Sequence, residues 1–246
     1  MSHHERRYRQ MLGLNLALML VVGVLLTSGF ANRSTARFDE ITVDRINVVG
    51  ENGKPVMVIA RRGMLPGPMA NGREFPPAVS EGRENLSGII FFSEAGDEVG
   101  GLVFNAIPRG DSGYSAVGHL SLDQWKQNQV VALQYIDNGR TRRAGLQVID
   151  RPTTVPMEIE LDRLERMIGA TGAVRDSLRA AHQAAQRNGA GGIQRVFLGA
   201  QDRNAVINLR DTKGRVRLRL QVDSLDVARM EFLDADGKVV AAYPPN

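Results

Sequence analysis

The sequence predicts a mainly β chain: an antiparallel sheet, sandwich or open barrel of β-hairpins, interrupted by a helical hairpin and preceded by one transmembrane helix. Three observations carry this expectation. A charge-free apolar run extends from Met11 to Phe30. One turn pattern recurs between strand-like apolar stretches. Apolar residues fall at helical spacing only in the segment that follows Pro156.

The chain opens with a tail, residues 1–10, that carries Arg6, Arg7 and Arg9. The run behind it, residues 11–30, reaches roughly 30 Å as a helix, which matches the hydrocarbon core of a bilayer. A cleaved signal peptide would have the same order of parts, with Gly29-Phe30-Ala31 or Ser34-Thr35-Ala36 as weak cleavage sites. Its apolar stretch is usually only about 7–15 residues, so the run reads as an uncleaved signal anchor. The arginines predict a cytoplasmic N-terminus, softened by Arg33 and Arg37 on the far side. Residues 31–40 then form a juxtamembrane linker, and the remainder lies in the periplasm or outside the cell. Gly13, Asn15 and Gly23 within the run are small or polar groups that promote helix pairing in lipid, although their spacing is not the small-xxx-small pattern.

Composition sets limits on the remainder. The 246 residues leave roughly 215 after the anchor, enough for a packed core without staples. There is no cysteine, which excludes disulfides and thiolate metal sites. The tail supplies +2 of the net charge of +4, so the ectodomain carries a mixed surface and no footprint for nucleic acid.

Residues 41–152 form a first β unit. Gly50-Glu51-Asn52-Gly53-Lys54 and Ser93-Glu94-Ala95-Gly96-Asp97 share a pattern with Asp211-Thr212-Lys213-Gly214-Arg215 and Asp234-Ala235-Asp236-Gly237-Lys238 further on. A small or acidic residue opens each, and a glycine stands fourth, as a type I turn followed by a positive-φ residue requires. Asp137-Asn138-Gly139 is a fifth hairpin signal. The first positions of the four copies lie 43, 118 and 23 residues apart, which argues against a regular solenoid. Two stretches interrupt this unit: the Pro- and Gly-rich segment 61–85, a long loop that either contacts something or is disordered, and a shorter one from Ile107 to Gly118.

Residues 153–190 form the helical hairpin. Met157, Leu161, Leu164 and Ile168 recur at helical spacing, with Thr154 as cap and Gly169 as stop. A second helix runs from Ala173 to Arg187 with Val174, Leu178, Ala181 and Ala185 on its inner face. In the C-terminal β unit, residues 191–246, Val216, Leu218, Leu220 and Val222 alternate with Arg215, Arg217, Arg219 and Gln221. One face is therefore core and the other water, with Leu209 expected opposite Val216 and Ile207 opposite Leu218.

No complete chemistry is assembled. Gly110-Asp111-Ser112-Gly113 resembles the string around the nucleophilic serine of trypsin-like proteases, and its first three residues resemble the start of GDS-type lipases and esterases. In the protease order the histidine precedes the serine, but His3 and His4 lie across the membrane. In the lipase order an aspartate stands three residues before a late histidine, yet Arg179 precedes His182 at that distance. His119 is the local alternative, without an indicated acid to orient it. Arg109-Gly110-Asp111 matches an integrin tripeptide, and a turn explains it equally well. Asp234-Ala235-Asp236-Gly237 opens like a calcium loop but lacks the later glutamate. Glu94, Asp97 and Glu98 read as solvated turn acids, Glu158, Glu160, Asp162 and Glu165 as acids favouring a helix N-terminus, and Trp125 as a half-buried aromatic. No residue is assigned a catalytic, cofactor-binding or metal role, and no cofactor is expected.

The strings Ile41 to Val49, Gly88 to Phe92 with Gly96 to Leu102, and Leu120 to Trp125 with Gln129 to Val131 resemble those of a group of uncharacterised bacterial membrane-anchored proteins built of such hairpins. The likeness covers most of Ile41 to Pro152. What it implies is a bacterial source, with no activity, cofactor or catalytic residue attached. The sequence thus points to a single-pass protein of the bacterial inner membrane whose ectodomain is a non-enzymatic interaction or envelope-structural module. Its partners would be the bilayer through residues 11–30 and an envelope protein or further copies of itself. The alternatives are an extracytoplasmic hydrolase with a site around Ser112, His119 and the 61–85 loop, and a glycan- or peptide-binding domain using the loops and Trp125.

Overall fold

The computed structural model describes residues 3–30, 36–80 and 82–245. The chain divides into two compact units, Met1–Thr42 and Val43–Asn246. The first contains one helix, α1 (His3–Phe30), which begins inside the expected tail and runs through the expected anchor. Its side chains are exposed from His4 to Val24. The side chains of residues 25–30, and residues 31–35 of the expected linker, lie outside the described residues. Among the described residues, no helix is long and apolar enough to cross a membrane.

The second unit is built on one antiparallel sheet of twelve strands. They are β1 (Arg45–Val49), β2 (Pro55–Ala60), β5 (Ser87–Phe92), β6 (Glu98–Pro108), β7 (Tyr114–Asp123), β8 (Gln129–Asp137), β9 (Arg142–Asp150), β10 (Ile193–Gln201), β11 (Asn204–Arg210), β12 (Val216–Val222), β13 (Ala228–Leu233) and β14 (Val239–Tyr243). Each pairs with the next in this order, and β3 (Met69–Ala70) with β4 (Arg73–Glu74) forms a separate ribbon inside the long loop. The sheet, sandwich or barrel of the sequence is therefore a single open meander. The β units expected on either side of the helices are one, because β9 and β10 pair directly with Leu146 opposite Leu198. Helices α2 (Met157–Gly169) and α3 (Gly172–Arg187) lie within the β9–β10 connection.

All five expected turns connect adjacent strands. In Asp234 to Lys238, for example, the Asp234 carboxylate accepts from the backbone N–H of Asp236 and of Lys238, both at 2.9 Å, so a turn accounts for this aspartate. Three further hairpins escape a glycine-based search, because ordinary residues occupy the left-handed region: Asp226 between β12 and β13, Lys126 between β7 and β8, and Asp202 with Arg203 between β10 and β11. At Asp226 the geometry is held by Asp223, whose carboxylate accepts from the N–H of Leu225 at 2.9 Å.

The expected register in the β11–β12 hairpin is corrected by two residues. Leu209 faces Leu218 and Ile207 faces Leu220, because pairing begins at Arg210 with Val216 and a bulge at Leu209/Arg210 then skips one further residue. The correction preserves which side chains share a face.

Gly145 and Gly199 stand opposite each other in β9 and β10, where the strands leave no room for a side chain. A Cβ on Gly199 would lie 2.1 Å from the Ala144 carbonyl oxygen, which is backbone and cannot rotate aside. Gly199→Ala is expected to lower stability by at least ~2 kcal/mol, read as a reduced denaturation midpoint of the full chain. A variant as stable as the parent would contradict this pairing.

The 61–85 segment is neither a free loop nor a simple contact surface. Its Leu65 packs in a cluster with Val58, Ala60, Ile90, Phe92 and Val103. Its Ala70, Phe75 and Val79 pack against Leu161 of α2, which joins cap and helix. Helix α2 begins at Pro156 without a side-chain cap, so Thr154 does not serve the role expected of it. In α3 no residue is buried, and Val174 is exposed where an inner position was expected.

Candidate functional site

The residues singled out for chemistry do not converge. Gly110–Ser112 forms one 3-10 turn at the tip of the β6–β7 hairpin, and the side chain of Ser112 lies outside the described residues. His119 stands five residues beyond Tyr114 on β7, about 16 Å along the strand, so the fold does not bring it to the Ser112 turn. Its ring instead begins a polar relay across the sheet. Gln134 Nε2 is 3.4 Å from His119 Nδ1, Gln147 donates to Gln134 at 3.1 Å, and Gln194 donates to Gln147 at 2.7 Å. Burial pushes the His119 pKa down, which favours its neutral form in this relay. Trp125 is 64% exposed at the β7–β8 turn rather than half-buried.

A cluster that sequence reasoning missed lies where the long loop, the start of β6, the β7–β8 turn and the start of α2 meet. They enclose a cavity of about 90 Å³ lined in part by Arg83, Glu98, Asp123 and Gln127. This is room for a few waters, far below the ~300 Å³ or more of a small-molecule pocket. Arg83 is buried; its Nε donates to the Pro66 carbonyl at 2.7 Å and its Nη2 reaches Glu98 at 2.9 Å. The Asp123 Oδ1 atom is buried without a hydrogen-bond partner. Burial raises the Asp123 pKa to about 7, with help from the negative charge of Glu98, while a hydrogen bond from Ser121 and the charges of Arg151 and Arg83 act in the opposite direction. Near neutral pH this carboxyl therefore stores a proton beside a second, arginine-held carboxylate. Asp97 is also corrected: it is 2% exposed and accepts from the Asn71 N–H at 2.7 Å, fastening the β3–β4 ribbon to the β5–β6 turn. Among the described residues, no group of three acids or histidines could hold a metal ion.

The larger feature is the apolar side of the sheet. Ile46 pairs with Ile59, Ile59 with Ile89, Ile89 with Leu102, Leu102 with Leu120 and Leu120 with Leu133. The row continues without a break through Leu146, Leu198, Ile207, Leu220, Met230 and Tyr243. A second row, two residues along each strand, runs from Val48 to Ala241 with Gly100 as its one position lacking a side chain. A third, from Ser87 and Phe104 to Val222 and Ala228, is shorter. None of the three contains a charged residue.

This face is open. Leu122 is 57% exposed, Phe104 55%, Leu133 54% and Leu198 48%. The expectation that Leu218, Leu220 and Val222 face a core is thus corrected: they share this uncovered face, while Arg219 on the opposite side bonds to Glu231 at 3.2 Å. The chain's own cap, with Val58 and Ile90 packed against its Leu65, lies on that opposite side. Alternation in a strand fixes which side chains are apolar but not what covers them.

No protein-family model matches the chain, and no curated protein or solved structure is similar to it.

Proposed function

We propose that this chain is a single-pass, membrane-anchored, extracytoplasmic β-rich protein of the bacterial inner membrane that works as a non-enzymatic interaction or envelope-structural module. The observation that carries this reading is the uncharged apolar face that runs across all twelve strands and has exposed side chains on nine of them. Contiguous apolar patches of this extent mark binding surfaces, since monomers rarely leave more than a few hundred Å² of them in water. The anchor is residues 11–30, with Arg6, Arg7 and Arg9 held on the cytoplasmic side. A tether and a sticky scaffold act together: the first confines the second to a surface where its partners are also confined.

A second reading, a glycan- or peptide-binding domain, is favoured by the exposed Trp125, whose indole lies 5.8 Å from the Lys126 ammonium and offers a stacking platform.

Solvent protection tests the interaction reading. The chain has no cysteine, so a single one can be placed at Leu133 on the apolar face or at Lys213 in an exposed turn. In membranes opened to the reagent from both sides, Leu133→Cys is expected to react with a bulky maleimide at least ten-fold more slowly than Lys213→Cys. Equal rates would mean that nothing covers the face.

A further inference from the structure

We infer that the apolar face is covered by the same face of a second copy of this chain, so that two single-layer sheets stack into a sandwich. The inference rests on the interaction reading above and names its partner. Its first support is what the fold lacks. Domains are built from at least two packed layers, because a sheet with an apolar face must bury it. Here the capping loop packs on the other side, with α2 against that loop, and among the buried hydrophobic residues of β10 to β14 only Phe197 and Leu233 are found. Among the described residues, no second layer of matching size lies over the apolar face.

Area is the second support. Twelve strands at ~4.8 Å and three rows of side chains at ~6.8 Å give a face on the order of 1,000 Å². A stable interface needs about 800 Å² per partner, so one copy covering another clears that threshold. An occupant much smaller than the sheet would leave most of the rows wet.

Self-complementarity is the third. With no charge in the rows, like meets like without repulsion, and identical sheets carry the same twist, so they can stack aligned at ~30° with their side chains interlocked. A two-fold axis through such a pair passes near the middle of the sheet, where β8 and β9 are the sixth and seventh of the twelve strands. Leu133 of β8 and Leu146 of β9 face each other there and would meet their counterparts in the second copy.

The test is photo-crosslinking of the full chain in its own membrane. A benzophenone amino acid replaces Leu133, or Phe104 as an aromatic-for-aromatic second variant on the same face, and Arg217 on the opposite side serves as the control. Two differently tagged copies are expressed together. The expected result is a product at twice the 26.9 kDa chain mass, carrying both tags, from Leu133 and Phe104 and at least five-fold weaker from Arg217. A product of any other mass means a different protein occupies the face, which overturns the second copy and leaves the interaction reading standing. Crosslinks to lipid, or within one chain, overturn the second copy as well. Slow maleimide reaction at Leu133 without a double-mass product also counts against self-stacking alone, whereas fast maleimide reaction removes both readings.

Discussion

Replacing Phe75 by alanine is expected to cost about 3–5 kcal/mol, as truncating a fully buried aromatic ring does. Phe75 is 1% exposed and packs with Ala70, Val79 and Leu161. Its ring also carries the Arg73 guanidinium 4.2 Å from its centroid, and Arg73 in turn reaches Asp162 of α2 at 2.6 Å. One truncation therefore opens a cavity, removes a cation–π contact and loosens the cap from the helix. Denaturation of the full chain followed by circular dichroism reads the effect as a lower midpoint at unchanged slope. Trp125→Ala, at an exposed turn, is the contrast and should change stability by less than ~0.5 kcal/mol. A Phe75→Ala loss below ~1 kcal/mol would mean that the 61–85 segment does not pack against α2.

The same segment marks where the sequence stops being legible. Turn glycines, strand alternation and helical apolar spacing are local signals, and they place five hairpins and both α2 and α3 within a residue or so. Phe75, by contrast, sits among prolines and glycines with no periodicity, and its burial depends on Leu161, far along the chain. The turns at Lys126, Asp202 and Asp226 were silent because their backbones take a glycine's conformation without a glycine. The sandwich-or-barrel expectation assumed that an apolar strand face finds its cover within the chain. Leu133 and Leu198 show that the pattern is present while the cover is not. Asp123 was invisible for a related reason: it lies in a polar stretch, and what buries it are groups brought by the long loop and β6, Arg83 and Glu98 among them.

Asp123→Asn is expected to change the pH dependence of stability. In the folded chain Asp123 keeps its proton up to about pH 7. In the unfolded chain it releases it near ~3.9. Between these values the folded state binds more protons, so the parent loses stability as pH rises from ~4 to ~7 and then levels off. Asparagine keeps the neutral shape at every pH, which removes that slope and makes the variant more stable than the parent above pH 7. The gain is about 1–3 kcal/mol once water in the cavity is allowed for. Denaturation midpoints at pH 5 and pH 8 measure it; parallel curves for parent and variant would show that the carboxyl is solvated. Arg83→Met should act in the opposite direction. It leaves the Glu98 carboxylate without its guanidinium partner and removes a positive charge felt by Asp123, and breaking a buried pair from one side costs ~3–5 kcal/mol. Adding Asp123→Asn to Arg83→Met should then recover more stability at pH 8 than Asp123→Asn gains alone, because it removes the charge that Arg83 had been offsetting. That excess is the coupling between the two residues, and it places Arg83 as the group that lets two carboxyls share one small cavity.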